Sequence, residues 1–390
     1  MLYPQNMLLI NQKNNIKIFA VTCLKQIVLD DWNRLNLDKN PFLLYEFLTS
    51  LEQSNSVEGN SGWKTFFIIA TKNNKLVGAL PNYLKFHSYG EYIFDTSWAN
   101  AHEKSGINYY PKMLVAIPFT PVPGDRILVS NENDEIIRLL LNSLIEFSKK
   151  NNISSIHINF ISEKEKSFLK ESGWMIRKGI QFHWHNKNYS SFNDFLSTLS
   201  SRKRKNIKKE REFIKREKIT FKKIYGENIK DFNWKIFYKF YLSTIEKKWG
   251  GAYLKEDFFE LIGKKMSDNI LLVIAEQNNT MIAGALNFIG NDKLYGRNWG
   301  TVKEIPYLHF ETCYYQAIEF AIAHKLKKVE AGVQGMHKVQ RGYVPTKTYS
   351  AHWINNNVLS KAIDDFLKRE DLIINSEIEE LSKLKPYKTN

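Results

Sequence analysis

The 390-residue sequence predicts an α/β protein, with mixed sheets carrying helices on their faces and one folding unit used twice in tandem. Three observations predict it. The chain is longer than one ordinary core requires, so two domains are expected. Residues 66–80, FFIIATKNNKLVGAL, are echoed by residues 271–286, LLVIAEQNNTMIAGAL. Finally, helical and strand patterns follow one another in the same order in both halves.

The elements justify themselves in chain order. In the first half, PFLLYEFLTSLEQ (41–53) has apolar residues at helical spacing. The 66–80 segment then reads as a β-hairpin, because two apolar runs flank Asn-Asn and asparagine tolerates positive φ. A long amphipathic helix, EIIRLLLNSLIEFSKK (135–150), and a short apolar strand, ISSIHINF (153–160), complete the copy. The second half repeats this with a helix at 253–266, the hairpin 271–286, a helix at 309–325 and a strand at 326–333. A GAL tripeptide ends both hairpins, with one extra residue in the second. The expected domains are 1–180 and 181–375, the second opening with a basic helical segment at 193–223, and a C-terminal tail at 376–390.

Composition limits the class. The chain is 43% hydrophobic and 14% aromatic, which fills cores and argues against disorder. No apolar run reaches the roughly 18–20 residues that span a bilayer, and the N-terminus lacks a basic leader. A cytoplasmic protein is expected. Cys23 and Cys313 are the only cysteines, too few for a disulfide framework or a cysteine-rich zinc site. His183 and His185 share a strand face, but no third ligand has useful spacing, so no metal is expected.

The net charge of +15 is concentrated. RKRKNIKKEREFIKREKITFKK, 202–223, holds twelve Lys/Arg and three Glu, so nine of the fifteen net charges sit in one segment. Apolar Phe192, Phe195, Leu196 and Leu199 dock the start of a helix expected near 193–218, whose charged section then projects. That density exceeds what solubility needs. Arg202, Lys203, Arg204, Lys205, Lys208 and Lys209 are therefore expected to meet a polyanion: a tRNA backbone, an anionic membrane surface at the inner face, or a substrate pyrophosphate. DNA is not expected.

The order helix, hairpin, strand, helix, strand resembles the GNAT acetyltransferase fold. Two copies with a basic helical arm opening the second resemble the FemAB-type peptidoglycan aminoacyltransferases and, more closely, a bacterial family of FemAB-like N-acyltransferases. The resemblance rests on SRKRKNIKKERE (201–212), EKKWGGAYL (246–254), LYGRNWG (294–300), LHFETCYYQAIE (308–319), GVQGMHKVQRGYVP (332–345) and TYSAHW (348–353). HSYGEYIFD (87–95), YYPKM (109–113) and PFTPVPGDRILV (118–129) carry it in the first half. It implies tandem GNAT-like domains and transfer of an acyl or aminoacyl group to an amine, with a cell-envelope precursor as one class of acceptor. It implies no permanently bound cofactor; acyl-CoA or aminoacyl-tRNA is the donor substrate. Acetyl-CoA-dependent relatives hold the pyrophosphate on a glycine-rich loop before the long helix. Here that place reads GTVKEIPYLHFE (300–311), with one glycine. FemAB-type proteins also lack the loop and take their acyl group from aminoacyl-tRNA.

Amide formation needs a base, oxyanion donors and alignment, and no covalent intermediate. The lead segment is EAGVQGMHKVQRGY (330–343). If it follows the strand after the long helix, its cations lie beyond a strand C-terminus, where ligands of open α/β sheets bind. His337 suits proton transfer near neutrality, Arg341 offers a planar fork for phosphate or carboxylate, and Lys338 a point charge. His309 and Glu311, in the first turn of the helix, compete with His337 as base. Cys313 reads as a core residue and not a nucleophile. In LYGRNWG, strand alternation turns Tyr295, Arg297 and Trp299 to one face as a substrate grip. Two other readings stay open: a CoA-dependent acetyltransferase of a small amine, and a non-catalytic RNA- or membrane-binding protein of the same fold.

Overall fold

The computed structural model describes residues 7–130, 133–246, 251–332, 335–384 and 386–388, the side chains at 246 and 336 excepted. Much of EKKWGGAYL, and residues 333 and 334 of the lead segment, therefore lie outside the described residues. The chain divides into two compact units, Met1–Gly179 with Thr348–Ile374, and Ile180–Lys347 with Asn375–Asn390. This differs from an unbroken second domain at 181–375 with a separate tail. The reason is strand pairing: residues 349–354 join the strand Ser155–Ile161 of the first unit.

The two hairpins are built alike. Phe67–Lys72 pairs with Lys75–Leu80, and Ile270–Gln277 with Thr280–Ile289, both antiparallel. Asn73 and Asn74 have φ of 50° and 59°, and Asn278 and Asn279 have 51° and 57°. Positive φ at both central residues is the turn that matches the strand twist, and asparagine accepts it at low cost. Both hairpins also carry a bulge at the same place, between Ala70 and Thr71 and between Ala275 and Glu276. Gly78 thus stands opposite Ala70 as Ala283 stands opposite Ala275. The extra residue that the GAL alignment demanded lies outside the turn and the bulge.

The sheets repeat beyond the hairpins. In the first unit Asn82–Lys85 pairs antiparallel with Lys112–Val115, which pairs parallel with Ser155–Ile161, which pairs antiparallel with residues of Val344–Ile354. In the second, Thr280–Ile289 pairs antiparallel with Lys293–Thr301, which pairs parallel with Lys328–Glu330, which pairs antiparallel with residues 183–185. Pro81 interrupts the first copy's strand between Leu80 and Asn82, because proline has no N–H for the ladder. In the first unit the last of these strands comes from late in the sequence, after the whole of the second unit's hairpin and long helix.

The long helices cover these sheets. Asp134–Lys150 is capped by the Asn133 side chain, which accepts from the backbone of Glu135 and Ile136, and it buries Leu140 and Leu144 on Ile68, Ile156 and Ile158. In the second unit the helix from Leu308 to Ala323 buries Tyr315, Ile318 and Ala321 on Leu271, Val273 and Leu294. A π-helical turn, Glu311–Tyr315, widens its start.

The basic segment is not one projecting helix. It is Phe192–Ser197 and Ser201–Arg216. Between them Leu199 forms a bridge to Tyr387, and Ser200 N–H donates to Pro386 O at 2.8 Å. The second piece is docked along its length, because Ile207 and Ile214, two turns apart, are both buried.

Candidate active site

The site is built where the second unit's parallel pair ends. Strand Lys328–Glu330 pairs with its neighbour as far as Tyr295 and Glu330, while that neighbour runs on to Thr301. Just past the strand end, the turn Met336–Arg341 is bracketed by Gly335 at φ 106° and Gly342 at φ 95°. A Cβ at Gly335 would lie 2.2 Å from the His337 ring, and one at Gly342 would lie 2.7 Å from Phe195. These glycines let a tight turn press His337 inward.

His337 meets the residues expected from the helix start. Its Nε2 lies 3.0 Å from Tyr314 Oη. Its ring centroid is 5.4 Å from Phe310 and 5.9 Å from His309. His309 in turn lies 5.1 Å from both Trp299 and Tyr314. His337, His309 and Trp299 therefore converge around two aromatic rings. Burial lowers the His337 pKa, and the charges of Lys338 and Arg341 lower it further, so the ring is neutral at pH 7.

The other two cations of the turn point inward. Lys338 is buried and donates to the Ala331 and Gly332 carbonyls that follow the strand. Burial lowers its pKa to about 8. Arg341 is buried too, and each of its nitrogens has a protein acceptor. Nε donates to Tyr315 Oη at 2.9 Å, Nη1 to His337 O at 2.8 Å and Nη2 to Glu210 Oε1 at 2.6 Å. The guanidinium lies 3.4 Å from the Phe310 ring centroid. The expected phosphate fork is thus occupied from within, because Glu210 reaches it from the basic helix.

Glu311 is held by partners other than the histidines. It is buried, and Arg211 of the basic helix grips it with Nη2 at 2.9 Å and Nε at 3.1 Å, while Gln316 Nε2 donates at 2.7 Å. Arg211 also reaches Glu319 at 2.7 Å. Burial raises the Glu311 pKa, with Arg211 opposing. Glu311 lines a cleft of about 460 Å³ between this helix and the sheet.

The grip expected from LYGRNWG is broken by a bulge. Phe288 pairs with Tyr295 and Asn287 with Gly296, but Leu286 pairs with Asn298 and Ala285 with Trp299. Arg297 is the extra residue, so Tyr295 and Trp299 face opposite sides of the sheet. Tyr295 is buried, and Trp299 alone of the pair faces His309. Arg297 is half-buried at the bulge. Cys313 is free and burial pushes its thiol pKa far up, which leaves no thiolate for nucleophilic chemistry. His183 lies opposite Glu330, its Nε2 3.9 Å from the carboxylate.

On the basic helix Arg202, Lys205, Lys208 and Lys209 are exposed, and Lys203 and Arg204 half-buried. None of the six forms an ion pair among the described residues. Among the described residues there is also no group of three or more metal-ligand side chains, and no helix long and apolar enough to cross a membrane.

Sequence reasoning missed Glu210, Arg211, Phe310, Tyr314 and Tyr315. Glu210 and Arg211 of the arm were counted only as charge, and only helix phase could have turned Glu210 inward. It also missed a polar cluster in the first unit. Lys112 is buried against Glu91 at 2.8 Å and against Asp95, which also accepts from Tyr109 Oη at 2.6 Å. Burial would raise Asp95, but Lys112 holds its pKa down to about 2. Burial lowers the nearby Lys85 to about 7. His157 and His352 share one proton between Nδ1 atoms 2.7 Å apart, and burial lowers His157 to about 3. The sequence signal was HSYGEYIFD and YYPKM, noted above for resemblance without a role.

Comparison with known proteins agrees with this architecture. The structure of FemX aligns with a TM-score of 0.54 at 13% identity, covering 87% of this chain and 98% of FemX. L-PGS from Bacillus licheniformis aligns with a TM-score of 0.50 at 10% identity, covering 84% of this chain and 96% of that one. At these identities the likeness is one of fold. No curated protein matches the chain. Residues 23–389 match the FemAB-like family, described as peptidoglycan biosynthesis/recognition. The chain belongs to the FemAB-like family.

Proposed function

We propose that the protein is an N-acyltransferase that moves an acyl or aminoacyl group onto an amine of a cell-envelope precursor. The observation that carries this reading is His337, neutral and hydrogen-bonded to Tyr314, at the strand end of a FemAB-like second unit. The amine nitrogen attacks the donor carbonyl carbon, the new C–N bond forms, and the amine proton passes to His337. The carbonyl–leaving-group bond then breaks, and the thiolate of acyl-CoA or the ribose oxygen of aminoacyl-tRNA takes that proton back from His337. His309 stands beside His337 as the second proton carrier. Glu311 is assigned to positioning, because Arg211 and Gln316 already hold its carboxylate. Trp299 and Arg297 line the substrate side, and the exposed cations of Ser201–Arg216 hold the donor's or the membrane's phosphates.

A thermal-shift panel tests the reading with acyl-CoA esters, aminoacyl-tRNA, and nucleotide- and lipid-linked envelope precursors. A donor or acceptor at a hundred times its dissociation constant adds about 2.7 kcal/mol of stability. Stabilisation by a donor and by an acceptor supports the proposal; no shift with any member of either class contradicts it.

A further inference from the structure

The loop 86–95, between strand Asn82–Lys85 and helix Thr96–Lys104, inverts the usual division of a surface loop. Its two acids point in: Glu91 and Asp95 are both buried on Lys112, Glu91 at 2.8 Å. Its rings point out: Phe86, Tyr89, Tyr92 and Phe94 are 51%, 69%, 39% and 77% exposed. Six Phe or Tyr side chains are exposed among the described residues, and four of them lie here. Single exposed rings need no explanation, but four on one loop do.

The exposure is built in. Phe86 N–H donates to Gly62 O at 3.1 Å, Lys85 Nζ to Tyr89 O at 3.2 Å and Arg177 Nη1 to Phe94 O at 2.6 Å. Lys112 Nζ also donates to Ser88 Oγ at 2.9 Å. Gly90, at φ 80°, lies so close to Phe119 that a Cβ there would come within 2.6 Å of that ring. With both acids drawn in, no charged side chain of the loop faces out. Burial, with Lys85 beside it, lowers the His87 pKa, which keeps that ring neutral at pH 7. Lys64, opposite Leu84 at the margin of the loop, is exposed and forms no ion pair among the described residues.

Size and charge select what covers these rings. A stable protein interface takes about 20–30 residues a side, and one loop falls well short of that. A bilayer surface takes rings singly, with tyrosine hydroxyls among the headgroups and phenylalanine rings beneath them. Lys64 at the border and the net charge of +15 on the chain favour anionic lipid. We propose that loop 86–95 is an interfacial anchor whose rings enter the surface of an anionic membrane. The anchor belongs to the first unit, whereas the basic helix belongs to the second, and it does not depend on the transferase reading.

The test is co-sedimentation of the full chain with vesicles of equimolar phosphatidylglycerol and phosphatidylcholine, at low and at high salt. Salt screens the basic helix but not inserted rings, so the high-salt arm isolates the loop. Wild-type protein is compared with Tyr89→Ser/Phe94→Ser and with Tyr89→Trp/Phe94→Trp. The serine variant should bind about tenfold more weakly, or worse, at both salts. The tryptophan variant should bind at least as well as wild type, with its emission shifted to the blue when vesicles are added. A wild-type chain that leaves vesicles unbound, or a serine variant that binds as well as wild type, overturns the anchor. So does a tryptophan variant that binds no better than the serine one, because the loss then follows from substitution and not from the rings. Binding at low salt to phosphatidylcholine alone as tight as to the mixture overturns the choice of anionic lipid. Sedimentation velocity without lipid reads the other occupant: a wild-type dimer that the serine variant dissolves, with vesicle binding unchanged, places a second copy on the loop and overturns the anchor.

Discussion

Glu210 Oε1 accepts from Arg341 Nη2 at 2.6 Å, which ties the basic helix to the turn that carries His337. Glu210 also accepts from Tyr315, and Arg341 donates to the His337 carbonyl. The arm read from the sequence as a projecting polyanion handle is thus also a clamp on the site.

Arg341 is buried and Glu210 half-buried beside it, so removing Glu210 strands the Arg341 charge. Glu210→Ala is expected to lower stability by about 3 kcal/mol. Amide exchange across residues 335–343 should quicken in the same variant. Glu210→Ala combined with Arg341→Met should cost less than the two single changes summed, because no unpaired charge remains. Chemical denaturation of the four proteins checks this, and strict additivity would refute a direct pair.

The outward face of the helix makes a separate prediction. Reversing Arg202, Lys203, Arg204 and Lys205 to Glu should weaken binding to RNA or to anionic vesicles. Wild-type affinity should fall steeply with salt as counterions are released. Binding that ignores salt, or a reversed variant that binds as well, would remove the polyanion role.

The acid side of the stability curve depends on the first unit. Burial takes His157 from an ordinary 6.5 to about 3, so its folded pKa lies below its unfolded one. The unfolded state then binds more protons between these values, and the neutral ring's contribution is lost as pH falls from about 6.5 toward about 3. Replacing His157 with Asn should flatten that limb of Tm against pH. An unchanged slope would mean that His157 is not a buried neutral group.

Much of the fold was legible because repetition and turn chemistry are local. Asn73–Asn74 and Asn278–Asn279 announced two hairpins of one design, and periodicity placed the helices. The turn 335–343 was legible as a tight turn beyond a strand end because its glycines and cations follow an apolar strand. What was not legible depends on contacts across the sequence. The Arg297 bulge is invisible to alternation counted along one strand, and it turned Tyr295 away from Trp299. Arg341 and Lys338 were read as ligand-binding cations because their acceptors, Glu210 and the carbonyls of 331 and 332, are set by tertiary packing. The break at 198–200 arises from Leu199 pairing with Tyr387, a contact no helical window contains.

Tyr314 should tune the base. As a base His337 must keep its lone pair free, so Nε2 carries the ring proton and donates to Tyr314 Oη, a bond that strengthens in the imidazolium and opposes the lowering by burial. The acid limb of acyl transfer by the wild type should lie below the ordinary histidine range, because burial lowers the His337 pKa. Tyr314→Phe should move the acid limb downward in pH and reduce kcat about tenfold, within the span of a supported general base. A pH profile that is unmoved in Tyr314→Phe would break the link between the two residues.

The central claim is that His337 takes the amine proton in acyl transfer. Its most direct test is transfer of a labelled acyl or aminoacyl group, from whichever donor stabilises the chain, to an envelope precursor by wild type and His337→Ala. The account predicts a loss of about 10²–10⁴-fold in kcat with substrate affinity little changed. A His337→Ala protein that transfers at the wild-type rate would contradict it.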